Sequence, residues 1–333
     1  MSSGDPPAPE GIDDETWHLL LHIKEGCFPY LDDRLDNSYG YWPSLPAGII
    51  FSALFGIVIV GHLFQFVRFR KWTSILIAIG AITEALGWAA RTWSAKCPYN
   101  GDAFLMQITT LIIAPTFFAA AMYVLLGTLI TLLGRDTSMM SPKLYTIIFC
   151  TCDVISLVVQ AVGGALAADA ADKIDGDTKQ GTNIMVAGIV FQLFTMTVFA
   201  VLVMDFLRRV YKRERHDKRG NQGASALSRP MKLVLAALFV AFVVIYIRSV
   251  YRTIELVQGW DGYLITHEAY FVALDGSLMV VASGVFLVLD PATLLRNLKP
   301  GSDNEYPMLS GEDSEGGSPE SARLKRGSTP SNY

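Results

Sequence analysis

Residues 245–275 read IYIRSVYRTIELVQGWDGYLITHEAYFVALD. This stretch joins two membrane-length apolar runs and sets five ionisable side chains inside or beside them. Arg248, Arg252 and Glu255 are four and three residues apart, so a helix places all three on one face. Glu268 and Asp275, two turns apart, share a face of the following run. An ionisable group in hydrocarbon costs about 2.5–3.5 kcal/mol on insertion scales, so such groups face a bundle interior and pair there. The stretch therefore predicts a polytopic helical membrane protein with a polar interior.

The whole chain agrees. It is 51% hydrophobic and only 17% charged, with mean hydropathy +0.36, which lies outside the range of soluble domains. The apolar residues fall in blocks of about 20 or more, long enough to cross a bilayer with some tilt. The expected spans are 46–66, 73–93, 104–133, 144–168, 183–207, 231–257 and 267–289. The fold class expected is all-α, with a segment 1–45, a seven-helix domain 46–290 and a tail 291–333. Acidic residues Asp5, Glu10, Asp13, Asp14 and Glu15 occupy the region where a signal peptide needs a basic start, so none is expected.

Orientation follows from the basic residues. Of the 27 lysines and arginines, 19 fall after the first, third and fifth spans (Lys232, at the very start of the sixth, counted with them) or in the tail, five fall on the other side, and three lie deeper within spans. The N-terminus is expected outside the cell and the C-terminus in the cytoplasm. The tail beyond Pro300, rich in Gly, Ser, Glu and Pro, is expected to be disordered because it has little apolar surface to bury.

Further polar groups lie at membrane depth. Glu84 and Arg91 are two turns apart on the second span, and Asp153 and Gln160 are two turns apart on the fourth. Tyr123 follows Ala114-Pro115 on the third. The repeated spacing predicts polar faces directed at a common interior. The bland reading is a set of register-holding ion pairs, such as Glu84 with Arg252 or Asp275 with Arg248. Arg91 and Glu268, near span ends, have the alternative of snorkelling to the headgroups.

Several ordered motifs carry a family resemblance: YxYxPS at Tyr39–Ser44, ExxGWxxR at Glu84–Arg91 and APTFFAAAMY at 114–123. FxxxDxxSxxxQAxGG at Phe149–Gly164, RxxYRxxE at Arg248–Glu255, ExxFxxxD at Glu268–Asp275 and the pair Asp290-Pro291 follow. Together they resemble the fungal lipid-translocating exporters, the seven-helix RTA-like proteins named for resistance to aminocholesterol. The resemblance covers about residues 39–295. It implies an integral, most often plasma-membrane, protein of fungi linked to release of sphingoid long-chain bases, lipid asymmetry and tolerance of toxic amphiphiles. It supplies no catalytic residues. The substrate-binding candidates are accordingly Glu84, Arg91, Tyr123, Asp153, Gln160, Arg248, Arg252, Glu255, Glu268 and Asp275. Carboxylates suit a lipid ammonium, Gln160 and Tyr123 its hydroxyls, whereas Arg248 and Arg252 suit a phosphorylated headgroup. The expected partners are membrane lipids, with no nucleic acid.

Cys27 and Cys97 both fall on the outer side in this topology, where a disulfide between them is permitted. Cys150 and Cys152 read as packing residues. His18 and His22 are four apart but have no third ligand, so no metal or other cofactor is expected. His62 and His267 read as interface or packing residues. The basic block 208–219 reads as a topogenic signal.

The leading function is a lipid transporter or transport modulator, not an enzyme. No GxxxxGK[ST] loop is present, so the chain has no P-loop ATPase. The alternative is a seven-helix receptor or lipid sensor. Against the G-protein-coupled kind, the third span ends in Leu133-Gly134-Arg135-Asp136 and the seventh in Asp290-Pro291. The seventh also lacks the lysine of a retinal protein. A zinc-dependent intramembrane hydrolase needs three histidines and an acid, and only His62 and His267 are at membrane positions.

Overall fold

The computed structural model describes residues 23, 26–28, 39–134, 138–171, 176–220, 228–259 and 262–296. His18, His22 and the tail beyond 296 lie outside the described residues. Among the described residues, seven helical stretches are long and apolar enough to cross a membrane. They are α1 (Leu45–Phe69), α2 (Trp72–Lys96), α3 (Gly101–Leu133), α4 (Pro142–Ala171), α5 (Lys179–Gly220), α6 (Arg229–Val257) and a composite seventh span. That span is built of α7 (Glu268–Phe271), a π-helical turn (Val272–Gly276) and α8 (Ser277–Val288), with α9 (Pro291–Leu294) after it.

Local chemistry sets the ends. Ser44 Oγ accepts the Ala47 N–H at the start of α1, where Pro46 costs no intrahelical bond. Asn100 Oδ1 accepts the Ala103 N–H at the start of α3. Arg70 ends α1 in the left-handed region (φ 51°), its N–H bonded to Phe66 O. Asp290 accepts the Ala292 and Thr293 N–H groups and the Thr293 hydroxyl, which starts α9. Residues 291–294, assigned to the tail by sequence, are therefore a capped helical turn.

The outer surface of the bundle is apolar. On α1, Ile57, Val60, Phe64 and Val67 are all more than half exposed. Their three- and four-residue steps make one stripe, the face a helix presents to lipid. The helix at the centre is α3. In its most apolar window 61% of residues are buried, against 28% in α1 and α4. It packs against α2 and α4 along its length and touches α6.

The seam between α4 and α5 depends on glycine. A Cβ at Gly163 would lie 2.4 Å from Met185 N, and one at Gly181 would lie 2.3 Å from Ala167 N. The two backbones are thus as close as small residues permit. At the other side of the bundle, His62 Nε2 meets Ser283 O at 3.2 Å and Gln65 Nε2 donates to Leu287 O at 3.2 Å, which ties α1 to α8. His62 is an interface residue. His267 closes the turn before α7 through Nδ1 and Tyr263 O, 2.7 Å apart.

The basic block after residue 207 continues α5, making a helix of 42 residues, about 63 Å long. That is about twice the bilayer's hydrocarbon thickness. Arg213 donates to Leu133 O at 3.1 Å, capping the end of α3, and Lys232 pairs with Glu214 at 2.7 Å. The block is thus packed against α3 and α6 as well as charged.

Two glycines make the packing testable. Gly163→Leu is expected to cost about 3 kcal/mol, because the clash is with backbone and nothing flexible yields. Gly56 has nothing within 4 Å of its missing Cβ, so Gly56→Ala is expected to be neutral or to stabilise by about 0.5–1 kcal/mol. Thermal stability of both variants in detergent, followed by size-exclusion profile, checks the pair. Equal behaviour would contradict the seam.

Candidate polar site within the bundle

The site starts from a proline. Pro115 has no N–H, so the carbonyl of Leu111, four residues earlier on α3, loses its helical donor. Inside a membrane that oxygen needs a partner. Arg248 of α6 supplies one: its Nη2 donates to Leu111 O at 2.6 Å. The same nitrogen lies 2.7 Å from Asp275 Oδ1 in the π turn of the seventh span. Both side chains are nearly inaccessible (4% and 0%). One guanidinium thus holds α3, α6 and the seventh span together.

Around this joint the remaining charges gather. Arg252 pairs with Glu255 one turn on, and its Nε is 3.8 Å from Asp275 Oδ1. Tyr251 OH donates to the other Glu255 oxygen at 3.0 Å. Glu84 on α2 is fully buried, and Arg248, Arg252 and Asp275 act on it electrostatically. Neither Glu84 oxygen has a hydrogen bond. Trp88 Nε1–H, one turn along, acts on it without reaching hydrogen-bond geometry.

The π turn places Asp275. Widening the helix by one residue puts the Val272 carbonyl opposite Ser277, whose N–H and hydroxyl both bond to it. Gly276 then allows Trp88 to lie against the backbone, where a Cβ would meet Cζ2 at 2.3 Å. Trp88 stacks on Phe51 at 4.2 Å and tilts against Phe271 at 5.5 Å. Such turns interrupt helices at functional positions often enough to mark this one.

A second cluster closes the end of the bundle that carries residues 39–44. Arg91 Nη2 donates to Tyr41 OH at 2.8 Å and to Glu268 Oε1 at 2.7 Å. The same carboxylate oxygen accepts the Ser44 N–H at 2.8 Å. Tyr39 OH lies 2.7 Å from Ser94 Oγ and 2.8 Å from Gln107 Oε1. Burial pushes the Tyr41 phenol above its ordinary value while Arg91 opposes this, so the phenol stays protonated and accepts from the guanidinium. Arg91 also stands 4.6 Å from the Phe271 ring, and Arg252 stands 5.9 Å from it. Phe271 therefore links the two clusters. Cys27 is joined to Cys97 by a disulfide, and Asn100 Nδ2 donates to Gly26 O at 3.3 Å, which fastens the N-terminal segment here.

The remaining candidates lie apart. Tyr123 OH donates to Asp153 Oδ2 at 3.0 Å between α3 and α4, among Phe149 and Phe199. Gln160 Nε2 donates to Ser156 Oγ at 2.7 Å and Gln192 Oε1 at 3.0 Å in the α4–α5 seam. A single shared interior was the expectation; the polar faces divide into separate groups. Gln160 faces α5 because Gly188 opens that seam: a Cβ there would meet Gln160 Cγ at 2.7 Å. Residues missed by sequence reasoning are Ser94 and Gln107, the Leu111 carbonyl, and Phe271 as the link. Of these, the carbonyl had a signal, a proline four residues downstream.

A family profile described as RTA1 like protein matches residues 77–297. The chain belongs to this family. The RTA1-like match spans from α2 through the π turn to α9, and so includes the whole Arg248 cluster. "Sphingoid long-chain base transporter RSB1" of Saccharomyces cerevisiae (strain JAY291) is 33% identical over 306 residues, 82% of this chain and 77% of that protein. "Protein RTM1" of Saccharomyces cerevisiae is 30% identical over 276 residues, 81% of each chain. "Protein RTA1" of Saccharomyces cerevisiae (strain ATCC 204508 / S288c) is 28% identical over 279 residues, 76% of this chain and 84% of that one. No solved structure matches.

Arg248→Met removes a charge from a buried pair and leaves Leu111 O orphaned, and is expected to cost about 3–5 kcal/mol. Adding Pro115→Ala returns the helical donor to Leu111 O and is expected to recover about 1 kcal/mol. Unfolding of the single and double variants in mixed micelles measures both. A double variant no more stable than Arg248→Met would refute the shared-carbonyl account.

Proposed function

We propose that this RTA1-like protein moves sphingoid long-chain bases or similar amphiphiles across the bilayer, or modulates their movement. In this reading the N-terminus is outside, the C-terminus is cytoplasmic, and the protein works in the fungal plasma membrane. There it contributes to lipid asymmetry and to tolerance of toxic amphiphiles. The observation that carries the reading is a polar stack, half-buried at one end and buried at the other. It runs from the Tyr41–Arg91–Glu268 cluster, past Phe271, to Arg248, Arg252, Asp275 and Glu84. A long-chain base is an ammonium and hydroxyls on one alkyl tail. Carboxylates and aromatic faces suit its head, and the apolar outer faces of the helices suit its tail. The similarity to a yeast protein named for sphingoid long-chain base transport supports the same substrate class. The Lys/Arg asymmetry supports the orientation. The substrate-contacting set proposed is Glu84, Arg91, Arg248, Arg252, Glu255, Glu268 and Asp275. Tyr123 with Asp153, and Gln160, serve helix packing.

Purified protein in liposomes is expected to accelerate transbilayer movement of a fluorescent long-chain base. Arg252→Ala is expected to reduce that rate by about tenfold, the loss of about 1.4 kcal/mol of differential interaction, while Gly56→Ala leaves it unchanged. Movement equal to that in empty liposomes would sink the reading. A ligand-dependent G-protein response in its place would make the protein a receptor, and zinc-dependent lipid cleavage would make it a hydrolase.

A further inference from the structure

The buried cluster does not balance. It holds two guanidiniums, Arg248 and Arg252, and three carboxyl groups, Glu84, Glu255 and Asp275. Arg91 and Glu268 form their own pair 2.7 Å apart and leave the difference unchanged. Glu255 is held by Arg252 and Tyr251, and Asp275 by Arg248. Glu84 is the carboxyl left over: Glu84 and Asp275 are both 0% exposed and neither accepts a hydrogen bond, but Asp275 has Arg248 at 2.7 Å and Glu84 has no guanidinium of the described residues within ion-pair distance. A lone carboxylate without donors is untenable at this depth. It needs a bound proton or a cation.

The groups around Glu84 are few and can be named. From α6 come Arg248 and Arg252, from the π turn Asp275, and from its own helix the Trp88 indole. On α1, Phe51 stacks on Trp88, and on α3, Leu111 and Thr110 fill the space beside Gly87. Tyr123 and Asp153 are engaged with each other. Both guanidiniums already pair with other carboxylates, so the two together offset only two of the three carboxyl charges. Beyond these charges the Trp88 indole acts on it, and the face of an aromatic ring suits an ammonium better than an anion.

We propose that Glu84 is a proton–ammonium exchange site: it holds a proton in the closed bundle and releases it when the ammonium of a cationic amphiphile takes its place. The step balances. A neutral carboxylic acid and an alkylammonium give a carboxylate–ammonium pair and one proton delivered to water. No covalent bond other than O–H breaks, and no oxidant or nucleotide is needed. A site that holds either the proton or the ammonium couples the two in opposite directions, so a proton gradient drives the amphiphile. The inference rests on the transport reading above and adds its coupling ion.

The test uses the full chain in detergent micelles, with sphinganine as the probe. Two measurements are made. Infrared spectroscopy of the ligand-free protein is expected to show a protonated-carboxyl C=O band that is absent from Glu84→Gln and retained, shifted, in Glu84→Asp. Titration calorimetry in buffers of different ionisation enthalpy is expected to show release of about one proton per bound sphinganine, the stoichiometry of a single exchanging carboxyl. In Glu84→Gln, a neutral isostere, the release is lost. Sphinganine binding to the wild-type protein without proton release, or a carboxyl band unaffected by either substitution, overturns the exchange and leaves the transport reading intact. No binding of sphinganine overturns the transport reading and the exchange together.

Discussion

The interaction on which the interior depends is the Arg248 side chain shared between a backbone oxygen and a carboxylate. Neither contact is sufficient alone. Without Leu111 O, the guanidinium at that depth has one partner for several donors. Without Asp275, its charge is uncompensated. Pro115 and the π turn each interrupt a helix, and each interruption presents a polar group toward α6. The two defects lie on either side of one arginine, and the arginine makes both tolerable. Breaking a helix inside a bilayer is acceptable only where something else satisfies the freed groups. Here that requirement fixes the register of α3, α6 and the seventh span relative to one another.

From that joint the rest follows by packing. Asp275 is placed by the π turn, and the π turn brings Gly276 under Trp88. Trp88 in turn sets α2 against the seventh span and carries Glu84 one turn away on the same face. Removing the π turn would rotate Asp275 by about 100°, the angle per residue of a helix of 3.6 residues per turn. The charge cluster thus cannot be separated from the irregularity that holds it. The α4–α5 seam obeys a different rule, small residues and close backbones. It takes Ser156, Gln160 and Gln192 as its polar cross-links.

Hydropathy made the seven spans legible in the sequence, and helical spacing made the Arg248–Arg252–Glu255 face legible, because both depend on local order alone. The pairing of Asp275 with Arg248 was also among the pairs that charge and depth suggested. What was not legible depends on which helix lies beside which. Asp153 and Gln160 are two turns apart, as Glu84 and Arg91 are, yet they face α3 and α5 instead of the central cluster. Periodicity shows that residues share a face; it does not show what the face meets. The π turn was hidden for another reason. EAYFVALDGSLMV has ordinary helix-compatible composition, and one added residue leaves no mark until the i, i+5 bonds are seen. The end of α5 was misjudged because charge ended the apolar run while the helix continued.

The two charge clusters differ in how they meet the same physical demand. At the end that carries residues 39–44, Arg91 Nε and Nη1 have no hydrogen bond, but the guanidinium lies within 6.0 Å of the rings of Tyr39, Tyr41, Trp88 and Phe271. Aromatic faces supply the compensation that oxygen acceptors do not. Deeper, carboxylates supply it directly. Phe271 belongs to both arrangements and sits four residues before Asp275 on the same span. A displacement of Arg91, whether by loss of Tyr41 or by a competing cation at Glu268, therefore changes the ring that Arg252 also uses. The strap formed by residues 39–44 is bonded to that arginine and to Glu268. The end of the bundle that carries residues 39–44 and the buried charges are consequently in contact through two rings, Phe271 and Trp88.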